Sequence, residues 1–139
     1  MDLESFIANH WQLAYSFAAV LTLLVVVEFL RARRTNMMVN TTRAIHLINR
    51  EHATIIDTRM ADTFRQGHII DAVAMTLPEI EQNSKKLEKF KNKPVILICN
   101  TDSESQKTAA SLAKQGYNSY ALMGGMRAWT EAGLPLVKN

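Results

Sequence analysis

The feature that most limits this chain is a long run without charge. From Ser5 to Val27 there is no Lys, Arg, Asp or Glu, and Leu13–Val27 reads LAYSFAAVLTLLVVV. A helix that crosses a bilayer needs about 20 mostly apolar residues at about 1.5 Å each, and residues 6–30 supply them. Trp11 and Tyr15 stand near one end, where interfacial aromatics settle. Glu28 lies at the other end, followed by Arg31, Arg33 and Arg34. A cleaved signal peptide would open on basic residues and close on small ones. This segment opens on Asp2 and Glu4 and closes on Phe29-Leu30 and arginine. A core helix apolar on every side is hard to bury in 139 residues. Residues 1–34 therefore read as a single-pass anchor with a basic stop, and the lipid bilayer is its partner. The positive-inside rule puts everything after the arginines in the cytoplasm, with the anchor in the inner (cytoplasmic) membrane.

The rest of the chain is long enough for one domain. A net charge of +3 is too small to argue for nucleic acid as a partner. One cysteine, Cys99, excludes an internal disulfide and any multi-cysteine metal site. A cytoplasmic thiol stays reduced and free for chemistry.

Residues 35–40 read as a polar linker and 41–139 as alternating helices and strands. Thr41 or Thr42 can cap a short helix carrying Ala44, Ile45, Leu47 and Ile48. Thr54–Asp57 is a β-branched strand. Asp62–Gln66 is a helical turn stopped by Gly67, and Ala72–Met75 is a weaker strand. Pro78 opens a charged amphipathic helix through Lys91. Pro94–Cys99 is apolar on both faces, as a central parallel strand is. A polar loop, Asn100–Ser105, leads into a helix over Gln106–Gln115. Ser119–Leu122 is a further strand, and Gly124-Gly125 precedes a last helix over Met126–Ala132. Strands separated by helices at this spacing predict an α/β sandwich with a mainly parallel sheet.

Cys99 ends the central strand, where parallel α/β sheets form their sites. Loop amides turned toward the sulfur, and the positive end of the next helix, would favour the nucleophilic thiolate there. The bland alternative is a small buried hydrophobe. His10, His46, His52 and His68 lie elsewhere in the sequence, so no Cys–His hydrolase is supported. No ligand spacing surrounds Cys99, and neither a metal nor any other cofactor is expected.

Asp57-Thr58-Arg59, Phe64, Gly67-His68-Ile69 and Ala72 resemble the D-x-R … F-x-x-G-H-I-x-x-A stretch of rhodanese-like domains. Leu122-Met123-Gly124-Gly125-Met126-Arg127-Ala128-Trp129, then Gly133-Leu134-Pro135, is similar to that family's closing L-x-G-G-x-x-A-W … G-L-P. The match runs roughly from Thr41 to Leu136, and the helix before it resembles a membrane-anchored single-domain type. The resemblance implies a three-layer sandwich with a five-stranded, mainly parallel sheet. It also implies sulfane-sulfur transfer, with Cys99 as nucleophile and persulfide carrier between a small sulfur donor and an acceptor thiol. A membrane or sulfur-relay protein is a further partner it suggests. Backbone amides of Asn100, Thr101, Asp102, Ser103, Glu104 and Ser105 would hold the anionic sulfur.

The loop departs from the family's common C-x-x-G-x-R-S pattern. Asp102 stands where glycine is usual, and Glu104 where arginine is common. An inward Glu104 would oppose both thiolate and thiosulfate, so weak thiosulfate activity is expected. The alternative is a non-catalytic rhodanese-fold binding module at the inner membrane face. Asp57 and Arg59 read as a structural ion pair near the site, His68 as a turn residue and Trp129 as core. Lys85, Lys86, Lys89, Lys91 and Lys93 form a basic patch, solvated or facing anionic lipid.

Overall fold

The computed structural model describes residues 2–82 and 85–138, with the side chains of 33–36 left aside. The chain divides into two units at Thr35. The first contains helices α1 (Leu3–Asn9) and α2 (Trp11–Asn36). The expected helix over 6–30 is thus interrupted at His10. Its ring Nδ1 donates to the Phe6 carbonyl at 3.0 Å and its ring stacks on Phe6. The chain resumes at once, because Leu13 and Ala14 both donate to the His10 carbonyl. The 22 residues Trp11–Ala32 are long and apolar enough to cross a membrane. At 1.5 Å per residue they span about 33 Å, against about 30 Å of bilayer hydrocarbon. Side chains from Leu3 to Ala32 are exposed within the chain.

The second unit is built on five strands: β1 (Met38–Val39), β2 (Thr54–Asp57), β3 (Val73–Ala74), β4 (Val95–Ile98) and β5 (Ser119–Leu122). Their order is β1-β5-β4-β2-β3, and all four neighbouring pairs are parallel. β4 lies in the middle with all four side chains buried, which explains its apolar character on both faces. Successive side chains alternate between faces. Val95 and Leu97 join Ile56, Ala121, Ile80, Leu87, Ala109 and Leu112 in one core layer. Ile96 and Ile98 join Ile55, Leu122, Val39, Leu47, Ile69 and Trp129 in the other. The first layer is closed by helices α5 (Leu77–Glu81), α6 (Lys85–Glu88) and α7 (Asp102–Lys114). The second is closed by α3 (Thr41–Glu51) and α8 (Gly125–Glu131). Helix α4 (Ala61–Gln66) follows β2 and buries Phe64.

The structure differs from the sequence expectation at four places. Met38 and Val39, read as linker, are the edge strand: the Ala121 and Met123 amides donate to the Met37 and Val39 carbonyls at 2.8 Å. Helix α3 is capped by Asn40, whose side chain accepts from the Arg43 amide at 2.8 Å, rather than by Thr41 or Thr42. The long helix expected from Pro78 to Lys91 is two short ones, α5 and α6. Asn83 and Ser84 within that span lie outside the described residues. The largest difference is at α7, which begins at Asp102, not Gln106. Thr101 caps it through a bond from the Glu104 amide at 3.2 Å. Asp102 and Glu104 then sit in the first turn, where acids favour the helix dipole.

Candidate active site

Three strand ends meet at the carboxyl edge of the sheet. β2 ends at Asp57 and runs into Thr58-Arg59, β4 ends at Ile98 before Cys99, and β5 ends at Leu122 before the Gly124-Gly125 turn. The Thr58 amide donates to the Ile98 carbonyl at 2.8 Å, fixing the first beside the second. A Cβ on Gly125 would stand 3.9 Å from the Cys99 carbonyl oxygen, so the glycine turn lies beside the Cys99 backbone. Gly124 adopts φ +75°, and a Cβ there would lie 2.7 Å from the Ala128 Cβ. Only glycine meets both demands.

Cys99 is buried, 6% exposed. Its neighbours include polar groups as well as aliphatic ones: the side-chain hydroxyls of Thr58, Ser105 and Thr108 lie in hydrogen-bonding reach of the thiol. Each has one proton, already given to a carbonyl. Thr58 donates to Ile98 at 3.2 Å, Ser105 to Thr101 at 3.2 Å and Thr108 to Glu104 at 2.8 Å. These hydroxyls therefore offer lone pairs to a neutral S–H, and must rotate to donate to a thiolate. Burial pushes the Cys99 thiol above its ordinary pKa. The Thr58 and Ser105 hydroxyls oppose that push, the Glu104 charge adds to it, and Thr108 opposes it again. The expectation of a thiol favoured in its ionised form is thus reversed in the resting protein, because desolvation outweighs the hydrogen bonds.

The six residues expected to form a loop divide in two. Asn100 and Thr101 lead into the helix, and Asp102–Ser105 are its first turn. The Glu104 amide is taken by the Thr101 hydroxyl and the Ser105 amide by the Thr101 carbonyl at 3.1 Å. The Asp102 and Ser103 amides have no acceptor among the described residues, as befits the start of a helix. The side chain of Asp102 crosses to the glycine turn, where both its oxygens accept from the Gly124 amide at 3.2 and 3.3 Å. The Glu104 charge is felt at the Cys99 thiol. The Glu104 Oε2 is buried with no hydrogen-bond partner.

Asp57 and Arg59 lie beside the site but bind each other. The guanidinium Nε reaches both carboxylate oxygens, at 2.9 and 3.0 Å, and Nη2 reaches one of them at 2.7 Å. Nη2 also donates to the Gly67 carbonyl at 2.9 Å. His68 is buried, stacked on Phe64 with ring centroids 3.8 Å apart, and its Nδ1 donates to the Phe64 carbonyl. Trp129 is in the core, and its indole N–H donates to the Pro135 carbonyl at 3.2 Å. Thr58 and Thr108 are not singled out by the sequence. Thr58 sits inside the D-x-R motif at its variable position, and Thr108 meets the sulfur only through the docking of α7 on β4.

Residues 40–132 match the rhodanese-like domain family, and the chain belongs to it. Along almost its whole length it is similar to the protein YibN of Escherichia coli K12, with 32% identity over 140 residues, 99% of this chain and 98% of that one. It is also 31% identical over 87 residues to the thiosulfate sulfurtransferase GlpE of Coxiella burnetii, covering 62% of this chain and 79% of that one. Among solved structures, a rhodanese-related protein from Thermoplasma volcanium superposes with a TM-score of 0.63 at 22% identity, over 73% of this chain and 98% of the other. That likeness concerns the fold.

Proposed function

We propose that the chain is a membrane-tethered sulfurtransferase that carries sulfane sulfur as a persulfide on Cys99. The supporting observation is the position of Cys99: at the carboxyl end of the central strand, before the two unpartnered amides that open α7, and among three hydroxyls. The sulfur transfer named for GlpE is the activity of a relative and agrees with this reading. With thiosulfate, the Cys99 thiolate attacks the outer sulfur, the S–S bond breaks and sulfite leaves. An acceptor thiol later takes the outer sulfur. The Asp102 and Ser103 amides hold the terminal persulfide anion. Helix α2 anchors the protein in the inner membrane, and Arg31, Arg33 and Arg34 keep the domain in the cytoplasm. Partners then meet it near the bilayer, either as small thiols or as a relay protein. Thiosulfate is a poor donor, because Glu104 brings negative charge toward a site that must admit a dianion.

Full-length protein in detergent, incubated with sulfane-sulfur donors and weighed intact, gains one sulfur atom on Cys99, and Cys99→Ser does not. No gain with any donor would leave the second reading, a binding module with an incidental cysteine. The burial of Cys99 and its raised pKa favour that second reading.

A further inference from the structure

All five strands run the same way, so each starts at one edge of the sheet and ends at the other. Cys99 stands at the carboxyl edge. The amino edge is a separate surface, and its turns are tied side by side. The Thr54 amide donates to the Pro94 carbonyl and the Val95 amide to the Asn118 carbonyl, both at 2.9 Å. Lys91 lies along the turn before β5: its Nζ is 5.7 Å from the Tyr117 ring centroid, and a Cβ on Gly116 would meet its Cε at 3.6 Å. Lys93 precedes Pro94 at the start of β4, and Lys114 ends α7 just before the Gly116 turn. These three lysines are exposed, and none pairs with a carboxylate among the described residues. At the same edge His52, Thr54, Asp71, Phe90 and Lys93 line a recess of about 350 Å³.

Helix dipoles account for part of this charge. Arg50 and Lys114 stand in the last turns of α3 and α7, where cations favour the helix. Lys91 and Lys93 belong to no helix, so the dipoles do not account for them. Lys86, in contrast, is engaged with the Ala74 carbonyl at 3.0 Å. Glu51, Asp71 and Glu88 thin the charge near this edge, and Arg50, Lys89, Lys91, Lys93 and Lys114 outnumber them. The carboxyl edge has the opposite character: Asp62, Glu79, Asp102 and Glu104 lie in the first turns of helices that begin there.

The chain coming from the N-terminal unit enters the domain at the amino edge. β1 starts at Met38, six residues after Ala32, where the stretch long enough to cross a membrane ends. Six residues reach at most about 20 Å, roughly two Debye lengths at physiological salt. We propose that the amino edge docks on the anionic phospholipid headgroups of the bilayer that α2 crosses, with Lys91 and Lys93 at the centre of the contact. This rests on the reading of α2 as the membrane anchor. Charge complementarity and the short connection both argue for lipid as the occupant. Docking by this edge turns Cys99 away from the lipid, because β4 separates the two edges by about 13 Å. The thiol then faces soluble donors and acceptors.

Full-length protein in lipid nanodiscs tests this. In a Cys99→Ala background, bimane is attached through Asn92→Cys, between the two lysines, or through Met60→Cys, 70% exposed just past the end of β2. The discs hold phosphatidylcholine with a nitroxide on some of its headgroups, alone or with about 30% phosphatidylglycerol. Quenching at Asn92→Cys should be strong with phosphatidylglycerol, and weak without it or in about 0.5 M salt. Quenching at Met60→Cys should stay weak throughout. Adding Lys91→Gln and Lys93→Gln should lower the ratio of docked to undocked protein about 25-fold, from about fivefold for each charge near an anionic surface. Equal quenching at Asn92→Cys in the two lipids, or equal quenching at the two positions, would overturn the docking and leave an acidic protein as what the lysines meet. Failure of the protein to enter discs of either lipid would remove the anchor reading and the docking with it. Should a cysteine variant fail to fold, amide hydrogen exchange of the wild type decides. Residues 89–93 and 115–118 should exchange more slowly in phosphatidylglycerol discs than in phosphatidylcholine discs, and unchanged rates would refute the proposal.

Discussion

Replacing Arg59 by Met tests what holds the first wall of the site in place. Asp57 is 1% exposed and the Arg59 side chain 11%, so both charges have left water. The guanidinium makes three of the bonds to the carboxylate, and the Arg59 amide adds another to Oδ1 at 3.0 Å. Methionine keeps much of the volume and removes every side-chain donor, leaving a buried negative charge with one backbone partner. Breaking a buried pair in this way costs about 3–5 kcal/mol. The bond to the Gly67 carbonyl is lost with it, for about 0.5–1.5 kcal/mol more. For a domain near 100 residues, each kcal/mol lowers Tm by about 4–8 °C, so the larger loss alone implies a fall of roughly 12–40 °C. Thermal unfolding followed by Trp129 fluorescence measures it. Asp57→Asn combined with Arg59→Met should be more stable than Arg59→Met alone, because the stranded charge is gone. Thr58 lies between the paired residues and reaches the Cys99 thiol, so alkylation of Cys99 by iodoacetamide should quicken in Arg59→Met as the wall loosens. A loss below about 1 kcal/mol, or a double variant no more stable than the single one, would refute the reasoning.

Gly124→Ala should destabilise by about 2–4 kcal/mol, from the left-handed backbone and the 2.7 Å approach to Ala128, seen as a lower urea midpoint at unchanged slope. Folded Cys99 holds its proton more tightly than the unfolded chain does. Its contribution to stability is therefore full below the ordinary thiol pKa and is lost as pH rises from there through the raised folded value. Denaturant titrations should show that loss in the wild type and not in Cys99→Ala. Glu104→Gln removes a charge that raises the thiol pKa, so the pH profile of iodoacetamide alkylation should move downward, whereas Thr58→Val removes an opposing hydroxyl and should move it upward.

Sequence and structure agree most closely where one signal dominates. β2 and β5 lie over the residues expected, and β4 differs by a residue at each end, because β-branched and apolar runs bounded by turns leave little choice. β1 is illegible along the chain because a two-residue strand within the short apolar run Met37-Met38-Val39 carries no period. Met38 and Val39 become a strand only through the edge that β5 offers. The offset at α7 has a different origin. Asn100–Ser105 is uniformly polar and so reads as a loop, although Thr101 and Glu104 already form the start pattern of a helix. That one shift of boundary changes the chemistry of the site. A loop would turn several amides inward as a nest. A helix start commits two of them, those of Glu104 and Ser105, to Thr101.

The thiol's ionisation runs against expectation for a related reason. Position at a strand end and helix start can be read along the chain, but desolvation is set by what packs from elsewhere. Thr108 and Ser105 reach Cys99 only because α7 lies back across the sheet with Ala109 and Leu112 in the core. In such a setting the same helix start that would stabilise an anion also supplies the carboxylates of Asp102 and Glu104. On the persulfide reading proposed above, a dianion such as thiosulfate would meet the negative charge of Glu104 as it approached a thiol that burial already holds neutral.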